Sequence, residues 1–326
     1  MRGLWLDNAV SPRPRLRTDL PMPTPGPGEA LVRIRLAGIC ATDLALCRGC
    51  YPFRGILGHE MVGEIVAAAS APERIGERVV GEINIGCGSC RQCRAGRANH
   101  CERRQVLGIR GRDGAFADYL TLPLANLHSV PAGVVDAAAV FCEPLAAALR
   151  VSELVPVGPD IRVLVVGAGR LGQLIARVLR LGGSELAVVA RHASQRRALA
   201  ATGIDWLDEA DVGVGDWDLV VEATGGVGGF ELARRAVRPG GTICMKSTYR
   251  TPLALDATRL VVDEVRLVGS RCGPFAPALR LLASGLVDPL PLIDDCLPLA
   301  AGNTALDRAA EPGALKLLIA PGETSV

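Results

Sequence analysis

The sequence predicts an α/β protein in which a β-rich module is joined to a doubly wound parallel sheet. Three observations carry this. Arg162 to Gly172 runs from a continuous apolar stretch (Val163 to Val166) into Gly167, Gly169 and Gly172 at G-x-G-x-x-G spacing, and then into a helically periodic segment from Gln173 to Arg180. From Ile161 to about residue 275, short apolar runs alternate with helical patterns, as in a parallel sheet covered by helices. Before Leu127 the chain shows many short strand-like runs punctuated by Gly and Pro.

Composition narrows the class. A chain of 326 residues is long enough for two domains, and with 49% hydrophobic and 21% charged residues it can bury a full core. Aromatics at 3% and a net charge of +2 argue against a nucleic-acid surface. The start, Met1 to Leu6, meets Asp7 before an apolar leader forms, and Ala137 to Leu149 is broken by Glu143 and Pro144, so no membrane span is expected. The eleven cysteines then belong in a reducing compartment, the cytoplasm, where a cluster points to metal rather than disulfide.

In chain order, Ala30 to Leu36 alternates apolar and basic residues after a Pro/Gly-rich approach, which reads as a strand. Gly38-Ile39-Cys40-Ala41-Thr42-Asp43 follows, and Gly58-His59-Glu60 comes next; Met61 to Ala67 is a further strand. Cys87, Cys90, Cys93 and Cys101 then stand at C-x2-C-x2-C-x7-C spacing. Four thiolates so close in a polar loop suit a closed, tetrahedral structural zinc site. Arg91, Arg94, Arg97, Arg103 and Arg104 surround the loop, as in a nucleic-acid-binding zinc knuckle. Without interleaved aromatics they read instead as a solvated face.

Gly114 to Tyr119 re-enters β structure, and Ala137 to about Leu154 reads as one helix carrying Phe141-Cys142-Glu143-Pro144. A glutamate in an apolar helix is costly unless paired or bound to a cation, which makes Glu143 a metal candidate. Beyond the glycine turn, strands are expected at Leu186 to Val189, Leu219 to Glu222, Thr242 to Met245 and Arg266 to Gly269. Helices are expected over Ser194 to Thr202 and Phe230 to Val237. A last helix (Ala276 to Ser284), a Pro-rich link and a strand (Ala314 to Ile319) are too short for a domain and should rejoin the first.

The glycine fingerprint has a physical rationale. Gly167 permits the tight turn, Gly169 lets backbone approach a pyrophosphate at the helix N-terminus beside Arg170 and Leu171, and Gly172 allows close helix–strand packing. The alternative is a glycine-rich turn in an unrelated α/β fold.

Taken together and in this order, Gly38-Ile39-Cys40…Asp43, Gly58-His59-Glu60, the four-cysteine lobe, Ala115 to Tyr119, Glu143-Pro144-Leu145-Ala146, the glycine fingerprint and Glu222-Ala223-Thr224-Gly225 resemble the zinc-containing medium-chain dehydrogenase/reductase superfamily. The resemblance spans essentially the whole chain. It implies a GroES-like catalytic domain (1–149, with the structural zinc lobe at about 86–104), an inserted Rossmann domain (150–275) and a return segment (276–326). It also implies an active site in the cleft between the domains.

Carried over residue by residue, Cys40 and His59 resemble catalytic zinc ligands and Glu60 the mobile or water-linked one. Glu143 matches the glutamate of the polyol and glucose dehydrogenase branch, with its neighbour Cys142 as the thiolate alternative. Asp43 resembles the carboxylate that orients the zinc-bound histidine, and Thr42 the hydroxyl that takes the alcohol proton. Zinc would act as Lewis acid on the alcohol oxygen while a hydride passes to nicotinamide. Ala223, Thr224, Gly269, Ser270 and Arg271 fall at cofactor positions.

The Cys40–His59 interval is short for the family, which trims the loop bearing Cys47, Cys50, Tyr51 and Phe53. Ala45 replaces a histidine relay found in some members. The expected activity is a zinc-dependent alcohol dehydrogenase acting on a secondary alcohol of a polyol, sugar or cyclitol. The alternatives are an aldehyde or ketone reductase for a larger hydrophobic substrate, a zinc-independent reductase of the same fold, and a non-catalytic nucleotide binder. A homo-oligomer, dimer or tetramer, is expected. For the cofactor, an NAD-selective site needs an acid at the end of the second Rossmann strand. Ala190 stands there, followed by Arg191 and His192, with Arg196 nearby. NADP(H) is therefore the expected cofactor, the alternative being that Arg191 is merely solvated.

Overall fold

A computed structural model describes residues 1–249 and 251–322. The chain divides into two compact units, one comprising Met1–Glu143, Phe275–Glu311 and the residues from Lys316 on, the other Pro144–Pro274 and Pro312–Leu315.

The first unit is built on a seven-stranded sheet whose centre is the strand Glu29–Gly38. Its alternation places Ala30, Val32 and Ile34 in the core, while Arg33 and Arg35 pair outside with Glu64 and Asp136. Glu60–Ala67 runs antiparallel beside it with Glu60 opposite Gly38, and Lys316–Ala320 runs antiparallel on the other side with Leu318 opposite Gly38. The chain's final strand is thus sewn next to one of its first, as the return segment requires. Ile293–Pro298 adds a parallel strand outside Lys316–Ala320 where only a Pro-rich link is expected from the sequence. A separate three-stranded sheet, Asn84–Ile85, Gln105–Leu107 and Gly111–Arg112, closes the base of the cysteine loop.

The expected single helix from Ala137 is instead two, Asp136–Ala139 and Cys142–Leu154. Pro144 explains the break. Its ring would clash with the carbonyl of Val140 in a continuous helix, whereas a proline in the first turn is tolerated.

The second unit holds a six-stranded, all-parallel sheet in the order Asp205–Leu207, Glu185–Val189, Arg162–Val166, Trp217–Glu222, Val237–Met245, Arg266–Gly269. Counted along the chain this is 3-2-1-4-5-6, the doubly wound arrangement, with Arg162–Val166 at the switch point. Leu164, Val166, Val220 and Ile243 form its core with Phe230 and Leu232 of the helix Val227–Ala236. Pro239-Gly240-Gly241, expected to end a helix, lies inside the strand Val237–Met245 as an irregularity opposite Trp217 to Leu219. Among the described residues no helix is long and apolar enough to cross a membrane.

Candidate active site and nucleotide cavity

In the first unit, Cys40 is the N-cap of the short helix Ala41–Cys47. The fully buried carboxylate of Asp43 organises this corner: the Cys40 N–H donates to Oδ2 at 2.8 Å, the Gly58 N–H donates to Oδ1 at 3.3 Å, and His59 Nδ1 lies 3.3 Å from the same Oδ1. Gly58 has φ +95, and a Cβ there would lie 2.5 Å from the Phe116 ring, so only glycine delivers His59 to this place. Burial alone would lower the proton affinity of His59, but Asp43 and then Cys40 outweigh it and hold it well above the ordinary imidazole value.

Donor atoms of Cys40, His59 and Glu60 all lie within 4.8 Å of one another. A thiolate, an imidazole and a carboxylate that close suit zinc. Thr42 Oγ1 lies 3.7 Å from Cys40 Sγ. Glu60 has room because Gly38 faces it: a Cβ on Gly38 would sit 2.4 Å from Glu60 Oε2. That oxygen accepts from the buried Lys316 Nζ at 2.5 Å, and Lys316 also donates to the Ile39 carbonyl at 3.3 Å.

The four-cysteine loop forms a second group. Sγ atoms of Cys87, Cys90, Cys93 and Cys101 lie within 4.8 Å of one another, with Cys101 fully buried. The Cys93 N–H points to Cys90 Sγ at 3.5 Å and the Cys87 N–H to Cys101 Sγ at 3.4 Å. Backbone N–H groups of Ser89 and Cys90 lower Cys87 to about 5, so it is a ready thiolate. Arg103 holds Cys87 Sγ at 3.4 Å and Ser89 Oγ at 2.8 Å. The donor set fits a closed zinc site.

In the second unit, a cavity of about 280 Å³ opens at the carboxyl ends of the central strands, lined by Gly167, Gly169, Arg191, His192, Glu209 and Thr224 among others. Gly167 has φ +108, and a Cβ on Gly172 would lie 1.9 Å from the Gly167 carbonyl, whereas one on Gly169 would meet nothing within 4 Å. The turn is therefore tight behind and open in front, the form that admits a pyrophosphate at the start of Arg170–Arg180. Thr224 is fixed by the fully buried Glu222, whose Oε1 accepts from its N–H at 2.6 Å and its hydroxyl at 2.5 Å, while Oε2 accepts from Tyr249.

The alcohol dehydrogenase GroES-like domain family matches residues 26–132. The chain is 32% identical to L-galactonate-5-dehydrogenase of Escherichia coli (strain K12), over 79% of this chain and 81% of that one. It is also 32% identical to L-threonine 3-dehydrogenase of Coxiella burnetii, over 94% and 92%. The chain belongs to the zinc-containing medium-chain dehydrogenase/reductase superfamily. A zinc-binding dehydrogenase from Sinorhizobium meliloti 1021, solved bound to NADP, has a similar structure, with a TM-score of 0.90 and 29% identity over 98% of this chain and 99% of that one. The present protein is thus an oxidoreductase of the zinc-type alcohol dehydrogenase kind.

In this dehydrogenase, Cys40, His59 and Glu60 are brought together, with Asp43 and Thr42 against them. Glu143 stands half-buried at the start of Cys142–Leu154 and is not within the group that Cys40, His59 and Glu60 form. Cys142 is buried with its Sγ directed to the Phe275 carbonyl at 3.8 Å; burial, then the charge of Glu143, raises its thiol well above the ordinary value. Around the nucleotide cavity, Gly167, Gly169, Arg191, His192, Ala223 and Thr224 form the wall. Arg170, Leu171 and Gly172 belong to the helix behind it. Ala190 is a buried strand-end residue outside the wall, its carbonyl accepting from Arg196 Nε at 3.0 Å. Gly269, Ser270 and Arg271 also lie outside the wall, at the end of the edge strand, where Ser270 accepts from Lys246 at 3.0 Å.

Three residues beside these groups escape the motif reading: Lys316, Glu222 in its carboxylate role, and Glu209. Lys316 carries a signal, since a lysine inside the apolar run Ala314 to Ile319 needs a buried partner. Glu209 has none, because only strand pairing brings it to Arg191. Glu209 lies in the same wall as Arg191, so no acid stands at the end of the second strand but one stands beside the third.

Proposed function

We propose that the dehydrogenase oxidises a secondary alcohol on a polyol, sugar or cyclitol and passes the hydride to NADP. The observation that carries this is the close approach of Cys40, His59 and Glu60, backed by the buried Asp43. Cys40 and His59 would hold a zinc ion, and the chemistry supplied there would be Lewis acidity toward an alcohol oxygen. Asp43 Oδ1, 3.3 Å from Nδ1, would orient the imidazole so that Nε2 faces a metal. Glu143, in the same unit, is assigned as an additional donor, and Glu60 as an exchangeable one restrained by Lys316. Thr42 takes the substrate proton and hands it to water, since Ala45 offers no relay.

The substrate class is supported by two relatives named for L-galactonate and L-threonine, both polar hydroxy acids. NADP is supported by Arg191 in the cavity wall and by the relative solved with it. Eleven cysteines free of disulfides support a reducing, cytoplasmic setting. Exposed Val261 and Val262 at the end of the helix Ala257–Val262, and Leu267 on the edge strand Arg266–Gly269, support a homo-oligomer. The test is a panel of polyols, sugars, cyclitols and simple alcohols assayed with both nicotinamide cofactors. Highest efficiency on a polyhydroxy secondary alcohol with NADP is expected; best efficiency on hydrophobic alcohols, or with NAD, would overturn the respective part.

A further inference from the structure

Arg191 follows the strand Glu185–Val189 by two residues, and Glu209 follows Asp205–Leu207 by two. The strands are parallel with Val189 opposite Leu207, so the two side chains emerge level at the carboxyl end of the sheet. Arg191 Nη2 lies 2.6 Å from Glu209 Oε2, and both residues line the nucleotide cavity. Their side chains are 68% and 44% exposed, so the pair is solvated and can part at little cost.

The other charges nearby are already committed. Arg196 pairs with Asp208, donates to the Ala190 carbonyl and stacks over Trp206 at 4.2 Å. Ala190 contributes only a buried methyl group. Among the cavity-lining residues Arg191 is therefore the arginine a phosphate would meet, with His192 next to it, and Glu209 is the anion that holds it.

We propose that Glu209 is a specificity-determining residue for the 2′ position of the bound dinucleotide's adenosine, competing with a 2′-phosphate for Arg191. A ribose hydroxyl meets a neutral ion pair. A 2′-phosphate gains Arg191 only by displacing a carboxylate, and it then lies beside that like charge. Glu209 thus restrains the advantage that Arg191 alone would give to a phosphorylated cofactor. The inference rests on reading the cavity as the dinucleotide site.

The test is calorimetric binding of 2′,5′-ADP and 5′-AMP to the full-length, zinc-loaded protein. In Glu209→Gln, 2′,5′-ADP should tighten roughly five- to tenfold while 5′-AMP stays within about twofold. In an Arg191→Ala background the same change should bring a clearly smaller gain, since only the like-charge repulsion is then relieved. An unchanged ratio of the two affinities in Glu209→Gln, or an equal gain without Arg191, would overturn the proposal while leaving the cavity reading intact. Failure of both fragments to bind the unmutated protein would overturn the cavity reading and the proposal with it. Which cofactor the unmutated protein prefers does not enter the ratio, so the NADP assignment can fail independently.

Discussion

Lys316 and Glu60 form a buried ion pair at 2.5 Å, both side chains almost without solvent, next to the side chains of Cys40 and His59. Lys316 comes from the chain's last strand and Glu60 from one of its first, joined across Glu29–Gly38. The pair therefore links the closure of the fold to the corner that holds Cys40 and His59. Removing one member leaves an uncompensated buried charge, so Lys316→Met should lose about 3 kcal/mol in denaturant unfolding. Lys316→Met combined with Glu60→Gln should recover part of that loss. A single variant as stable as the parent would contradict this.

The two cysteine groups should separate on mutation. Cys93→Ser should lower thermal stability and remove about one zinc per chain, since a structural site contributes directly to folding. Cys40→Ser should leave the unfolding transition nearly in place and abolish turnover. Metal analysis together with thermal unfolding of the two variants checks both halves.

Glu143 and Cys142 are adjacent but differently placed. Cys142 is directed to the Phe275 carbonyl, whereas Glu143 is only half-buried at the helix start. Glu143→Ala should therefore reduce zinc retention under chelator and turnover much more than Cys142→Ala. The reverse ranking would remove Glu143 from the donor set.

The glycine turn gives a steric prediction. A Cβ on Gly172 would come within 1.9 Å of the Gly167 carbonyl, so Gly172→Ala must push the turn out of shape. Nicotinamide cofactor affinity should fall by roughly tenfold or more, the size of effect expected when a positioned phosphate contact is lost. Gly169→Ala, which meets no protein atom, should retain the fold and weaken the cofactor by filling the space in front of the turn. Equal affinities in parent and Gly172→Ala would contradict the assignment.

What was legible in the sequence was what lies close together along it. The four cysteines, the glycine fingerprint and the Cys40/His59 pair are local spacings whose chemistry needs no tertiary knowledge. The six parallel strands of the second unit followed from alternating patterns, except the short Asp205–Leu207, too brief for a periodic signal. Lys316–Glu60 and Arg191–Glu209 depend on which strands pair, which spacing does not encode. The break before Pro144 was readable from proline chemistry alone, yet the alanine-rich run around it masks it.

The cofactor assignment can also be shifted by design. Placing the missing acid, Ala190→Asp with Arg191→Ile, should move catalytic efficiency from NADP towards NAD, because a carboxylate repels the 2′-phosphate and accepts from ribose hydroxyls. Steady-state kinetics with each cofactor check this, and an unchanged ratio would contradict it.

The proposed activity is zinc-dependent oxidation of an alcohol at the Cys40–His59–Glu60 corner. The most direct measurement is nicotinamide reduction with the best alcohol of the panel, before chelation, after mild chelation that spares the four-cysteine site, and after zinc is restored. Turnover should disappear with about one zinc per chain and return when zinc is added back, with Cys40→Ser inactive throughout. Undiminished turnover in the chelated protein, or in Cys40→Ser, would contradict it.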